Sequence, residues 1–207
     1  GIICENDTFQ ITNANTTASN FTWSSSGDGT LINDTTLSPI YTPGPLDINS
    51  GIPVIISLTA DNNNACPGST SDSLLLNITR EATSIAGPAT DAICAGDVYP
   101  LNGVVGNFIS VEWTTSGDGV FGNNGDPTTT YTPGPDDLVN SLVTLSLQAV
   151  GDAPCNNLAV SSIDLFINGE ITVFAGDDAT ICESTSFYQL SAAAITPPNY
   201  TSFEWIT

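Results

Sequence analysis

The sequence predicts an all-β chain built as a tandem array of β-sandwich modules of about 90 residues. Three observations carry this: an internal repeat, strand-type alternation within it, and turn residues at regular intervals. The repeat has four landmarks. Cys4 recurs as Cys94, Trp23 as Trp113 and Tyr41 as Tyr131, each 90 residues on, and Cys66 recurs as Cys155 after 89. Cys182 and Trp205 continue the series 88 and 92 residues beyond Cys94 and Trp113. Landmarks in one order at one period mark a repeat architecture. The period divides the chain into 1–85, a repeat entered part-way; 86–174, a whole repeat; and 175–207, the start of a third. Because Gly1 falls inside a repeat, the 207 residues are expected to be an excerpt of a longer protein.

Within a repeat the apolar residues alternate. Val54, Ile56, Leu58 and Ala60 are matched by Val143, Leu145, Leu147 and Ala149, and Leu74, Leu76 and Ile78 by Ile163, Leu165 and Ile167. A period of two puts one side-chain set inward and the other outward. About seven short strands per repeat, separated by turn signals, is the pattern of an Ig-like sandwich. Phe21–Trp23 and Val111–Trp113 lie on such alternating strands, so Trp23, Trp113 and Trp205 are expected to be core aromatics. Tyr41 and Tyr131 are expected to be corner tyrosines whose hydroxyls satisfy backbone groups. The "SGDG" stretches at Gly27–Gly29 and Gly117–Gly119 suit a positive-φ hairpin turn. "TPGP" suits a type II turn, and the residues after it suit one turn of helix.

Composition excludes several functions. The chain has 22 acidic residues against one basic residue, Arg80, with no His, for a net charge of −21. Without His there is no Ser-His or Cys-His pair, and a zinc site would need Cys and carboxylates alone. One cation cannot track phosphates, so nucleic acid is excluded as a partner. No apolar run reaches the ~18 residues of a membrane span, so no membrane insertion is expected. Asp28 and Asp118 could be turn residues or calcium ligands. One carboxylate per motif is far from the 6–8 oxygens calcium takes, and the turn is the reading adopted. The pairs Asp136–Asp137 and Asp177–Asp178 are read as solvated charge. The chain is not expected to be an enzyme, and no cofactor is expected.

Together, "AICAGD", "EWTTSGDG", "YTPGP" and the alternating strands resemble the PKD-like, Ig-like repeats of very large Bacteroidota surface proteins secreted by the type IX system. Gliding-motility adhesins of the SprB type carry such repeats. The resemblance covers all 207 residues and implies a stalk segment of an extracellular, outer-membrane-associated filament that transmits force in adhesion and gliding. The implied partners are neighbouring repeats of the same chain, surface polysaccharide or substratum, and, through other regions, the gliding and type IX secretion machinery. Two rival readings are a carbohydrate-binding array of a secreted enzyme and a structural matrix or surface-layer array. The resemblance also implies O-glycosylation at Asp-Ser/Thr motifs, with Thr35 in a polar loop and Ser73 bordering a strand as the candidates.

Five cysteines in a secreted chain imply disulfides. Two pairings are open. Within a repeat, Cys4 joins Cys66 and Cys94 joins Cys155. Across repeats, Cys4 joins Cys155, leaving Cys66, Cys94 and Cys182 for repeats outside this chain. The expected strand order puts Cys4 and Cys66 at opposite ends of a sandwich, about 20 Å apart, whereas bridged Cα atoms lie about 4.4–6.8 Å apart.

Overall fold

The computed structural model describes residues 1–62, 68–169, 172–185, 187, 189, 194–196 and 202–206. Its first sandwich has a four-stranded sheet in the order β1 (Ile2–Cys4), β7 (Gly68–Thr79), β6 (Val54–Asn62), β3 (Asn20–Ser25). The opposing sheet runs β2 (Phe9–Gln10), β5 (Ile40–Thr42), β4 (Thr30–Ile32). β1 is parallel to β7, with Cys4 opposite Thr79, whereas β3 with β6, β6 with β7, β2 with β5 and β4 with β5 are antiparallel. The core between them holds Ile3, Ile11, Tyr41, Val54, Ile56 and Leu76. Val54 and Ile56 of β6 belong to it and Ala60 is also buried, as alternation requires, whereas Leu58 between them is half-buried.

The second sandwich repeats this plan. One sheet runs β9 (Thr90–Cys94), β16 (Leu158–Asn168), β15 (Leu142–Gly151), β12 (Phe108–Thr115), and the other runs β10 (Tyr99–Asn102), β14 (Thr128–Thr132), β13 (Val120–Phe121). β9 is parallel to β16, with Cys94 opposite Asn168, the same register as Cys4 and Thr79. Val143, Leu145, Leu147 and Ala149 of β15 are at most 1% exposed. Two further pairs are β8 (Thr83–Ile85) with β11 (Val104–Gly106), and β17 (Thr172–Phe174) with β18 (Ala194–Thr196). By compactness the chain forms two units. One is Gly1–Ile85 with Gly103–Glu112 and Leu147–Ser161; the other is Ala86–Asn102 with Trp113–Ser146 and Ser162–Thr207.

Each "TPGP" leads into one short helix, α1 (Pro45–Ser50) or α2 (Pro135–Asn140). The type II turn is corrected here. Gly44 has φ −93° and ψ 170°, extended backbone, and serves as the N-cap of a helix with Pro45 at its first position. Proline fits there because its φ is helical and its missing N–H would have had no intrahelical partner. The helices end on a left-handed residue, Gly51 (φ 67°) or Ser141 (φ 59°). Glycine takes that conformation without the steric cost a Cβ brings. Ser141→Gly is therefore expected to stabilise the chain by about 0.5–1 kcal/mol, read as a higher urea midpoint. Gly51→Ser should lower it by a similar amount.

Candidate functional site

The repeated "SGDG…YTPGP.D" residues converge on a buried carboxylate. Asp47 is 5% exposed and Asp137 1%. Asp47 Oδ2 accepts the Tyr41 hydroxyl at 2.6 Å and the N–H groups of Gly29 and Gly44 at 3.0 Å each, while Oδ1 accepts Asp28 N–H at 3.1 Å. Asp28 answers by accepting the N–H groups of Leu46 and Asp47 at 3.1 and 3.0 Å. Gly44 has no side chain to cap α1, so Asp28, from another segment, supplies the carboxylate an N-cap residue ordinarily brings. The second repeat rebuilds the arrangement. Asp137 Oδ2 accepts Tyr131 Oη at 2.6 Å, Gly119 N–H at 3.1 Å and Gly134 N–H at 3.0 Å, and Asp118 accepts the N–H groups of Asp136 and Asp137.

This geometry revises two expectations, the solvated Asp137 and the positive-φ turn. Asp137 is buried structure rather than solvated charge; Asp136 is exposed, as are Asp177 and Asp178. Asp28 and Asp118 spend their oxygens on backbone N–H groups. None of the "SGDG" glycines has positive φ. Gly29 is required because a Cβ there would overlap the Tyr41 ring and the Thr42 carbonyl, and Gly119 meets the same obstacle from Tyr131 and Thr132. Among the described residues no group of three His, Cys, Asp or Glu is placed to hold a metal ion.

The corner sets a pH window. Burial, then the Asp47 carboxylate, pushes the Tyr41 hydroxyl up to about 12, and burial with Asp137 does the same for Tyr131. Burial alone would raise Asp47, but the Tyr41 hydroxyl and the N–H groups of Gly44, Asp28 and Gly29 outweigh it and hold Asp47 below its ordinary value. A depressed carboxylate stabilises the fold above its unfolded value of about 4 and loses that contribution as pH falls through the folded value. A raised tyrosine contributes below about 10, and its contribution is lost as pH rises toward the folded value. The chain has no His and no Lys. The urea midpoint is therefore expected to be flat from about pH 5 to 9 and to fall on both sides. A midpoint that slopes through neutral pH would contradict this.

Cys4 is bonded to Cys155, with their Cα atoms 4.8 Å apart at a sequence separation of 151. The across-repeat pairing is the one formed, and the Cys4–Cys66 and Cys94–Cys155 pairing is corrected. The reason is strand direction. β1 runs parallel to β7 and brings Cys4 beside Thr79, at the far end of that twelve-residue strand from Gly68, about 36 Å along it. Cys155 Sγ lies 3.2 Å from the Thr79 carbonyl oxygen. Cys94 and Cys182 are free and exposed, and Cys66 lies outside the described residues.

The aromatic expectations divide. Trp113 is 1% exposed, stacked 6.3 Å from Phe121, and donates its indole N–H to Pro127 O. Trp23 is half-buried and donates to Thr36 O. Trp205 is 50% exposed and is corrected as a core residue: among the described residues of 175–207 the one strand is β18, so no sandwich is built around it there. Thr35 is exposed in a turn; Ser73 lies inside β7 rather than at its border, and is exposed.

Arg80 is exposed, but the junction around it is not an open linker. Thr79 O accepts Glu5 N–H, Glu81 N–H donates to Glu5, Asn107 donates to Glu81 O, and Asn157 bonds both the N–H and the C=O of Ala82. Cleavage needs this backbone freed. Native oxidised chain is expected to resist trypsin and, once unfolded, to be cut only after Arg80, with both pieces still joined by Cys4–Cys155 until reduced. Rapid cleavage of the native chain would contradict the pinned junction.

No protein-family model matches the chain, and no curated protein does. Solved structures similar to it include mouse cadherin-23 EC22-24, at 16% identity over 73% of this chain and 54% of that one, with a TM-score of 0.47. Protocadherin gammaB7 EC3-6 is similar at 16% identity over 82% of this chain and 45% of that one, TM-score 0.45. The insect immune protein hemolin is similar at 11% over 82% and 44%, TM-score 0.48. The chain thus spans about half the length of the structures it matches. At these identities the likeness is one of fold alone. The fold is all-β, of the Ig-like sandwich class. No helix among the described residues is long and apolar enough to cross a membrane.

Proposed function

We propose that this chain is a stalk segment of an extracellular adhesin filament, working by bearing load rather than by chemistry. The Cys4–Cys155 bond carries this reading. It joins a cysteine of the first sequence repeat to one of the second and encloses residues 5–154 in a covalent loop. Tension entering before Cys4 and leaving after Cys155 passes through the two sulfurs and does not pull on the enclosed strands. A disulfide placed to bypass its own strands suits a protein that transmits traction, and it belongs to an oxidising compartment. The polar side chains of Asp28, Asp47 and Tyr41 are consumed in holding the corner. Neighbouring repeats and surface polysaccharide or substratum are the partners in this reading, and the gliding and type IX machinery engages the filament through other regions. Antibody raised against residues 1–207 and applied to intact, unpermeabilised cells tests the reading. Thread-like labelling outside the cell is the expected result, and labelling only after permeabilisation would overturn it.

A further inference from the structure

The two sandwiches share a strand plan but are not equally closed. Trp113, Leu147 and Ile163 are at most 1% exposed, whereas their counterparts Trp23, Leu58 and Leu74 are half-buried. These three line a cavity of about 240 Å³ together with Ile11, Ile56 and Asp72.

What lies against two of the counterpart positions, Leu147 and Ile163, is visible. β8 pairs with β11, Val105 opposite Ser84 and Val104 opposite Ile85. Ser84 Oγ donates to Leu147 O at 2.9 Å and lies 3.0 Å from Ser161 Oγ. Just beyond β8, a Cβ on Gly87 would stand 3.1 Å from Ile163 Cδ1, so the chain runs against that side chain. The repeat period maps Val104, Val105, Leu147, Ser161 and Ile163 onto Ala14, Asn15, Leu58, Asp72 and Leu74. All five of those line the cavity.

We infer that the slot beside Trp23 is a docking site for an extended, uncharged segment of the β8 type, taken up as an added edge strand along residues 14–16. Recognition has two parts. Main-chain bonds along 14–16 supply affinity, and alternate side chains supply specificity. The inward positions of the segment are small: Ala82 is 5% exposed and Ala86 2%, while Ile85 between them is 58% exposed. The slot therefore selects small residues at alternate positions, as in Ala-x-Ser-x-Ala. Asp72 on its wall, in a chain of net charge −21, rejects an acidic residue there. The occupant is the strand that leads into a repeat of this class.

The test is hydrogen exchange on the oxidised 207-residue chain with the capped peptide Ala82–Pro88 (ATSIAGP) added in trans. Amides 14–16 and 72–74 are expected to slow saturably by an order of magnitude or more, with a blue shift of tryptophan emission. Amides 104–106, already paired with β8, should not respond. A peptide carrying Ser84→Asp should lose the effect, because its carboxylate would face Asp72. No slowing at millimolar peptide, or equal slowing by a scrambled peptide, would overturn the inference. So would protection of the same amides by cellobiose and not by the peptide, which would assign the slot to a sugar.

Discussion

Truncating Asp47 to alanine is expected to cost about 4 kcal/mol or more, the largest effect of any single substitution at the corner. Four donors lose a bond at once, the Tyr41 hydroxyl and the N–H groups of Asp28, Gly29 and Gly44, and of these Gly29 alone keeps a second acceptor among these contacts, Tyr41 Oη. An unsatisfied buried donor costs about 1–3 kcal/mol, and some regain partners by relaxing or admitting water, which keeps the sum below four full penalties. Asp47→Asn is expected to cost less, about 2–3 kcal/mol. Its carbonyl oxygen can take the place of Oδ2 and keep three bonds without the charge, but its NH₂ group then confronts the Asp28 N–H. Tyr41→Phe should cost least, about 1–2 kcal/mol, because Gly29 N–H keeps Asp47 as a second acceptor. Urea unfolding of the three variants checks the order. A result in which Tyr41→Phe is the most damaging would show that the hydroxyl, not the carboxylate, organises the corner. The same ranking is expected for Asp137 and Tyr131. Against total stabilities of about 5–15 kcal/mol for a domain, the alanine variants are expected to sit near the limit of folding.

The corner was only half legible in the sequence. Tyr41 and Tyr131 stand in an alternating strand, and a buried tyrosine needs a partner for its hydroxyl, so their role follows from position. Asp47 and Asp137 gave one usable signal, recurrence at the same period six residues after each tyrosine. Nothing local distinguishes such an acid from surface charge, however, and Asp137, directly after Asp136, has the local sequence of a solvated pair. Its burial is decided by Gly117–Gly119, which reaches it from about 18 residues away. The same non-local contact explains why "TPGP" enters a helix: Asp118 and Asp28 cap N–H groups that a type II turn would not present. The strand plan was legible throughout because period-two alternation is local. The unequal closure of the two sandwiches was not, because Trp23 and Trp113 sit in nearly identical sequence and differ in what covers them.

Reduction of Cys4–Cys155 is the second large expected effect. Its closed loop spans 151 residues, and the chain-entropy model assigns such a bridge about 5 kcal/mol of stabilisation through the unfolded state. Cys4→Ser with Cys155→Ser is expected to lower the unfolding free energy by that order and to raise susceptibility to trypsin at Arg80, since Glu5 and Thr79 then lose the anchor beside them. The mechanical consequence is larger. A fully extended residue spans about 3.3–3.6 Å, so the enclosed segment stores roughly 500 Å of contour length. Pulled from its two ends, the oxidised chain is expected to release only the contour outside the loop, and reductant should add the missing ~500 Å. This tests whether the bond bears the load. Oxidised and reduced chains that reach the same final length would show that the bond is absent or has broken. If it carries load, the oxidised chain stays short at every force below rupture of the bond itself, because the strands of residues 5–154 lie off the path along which tension travels.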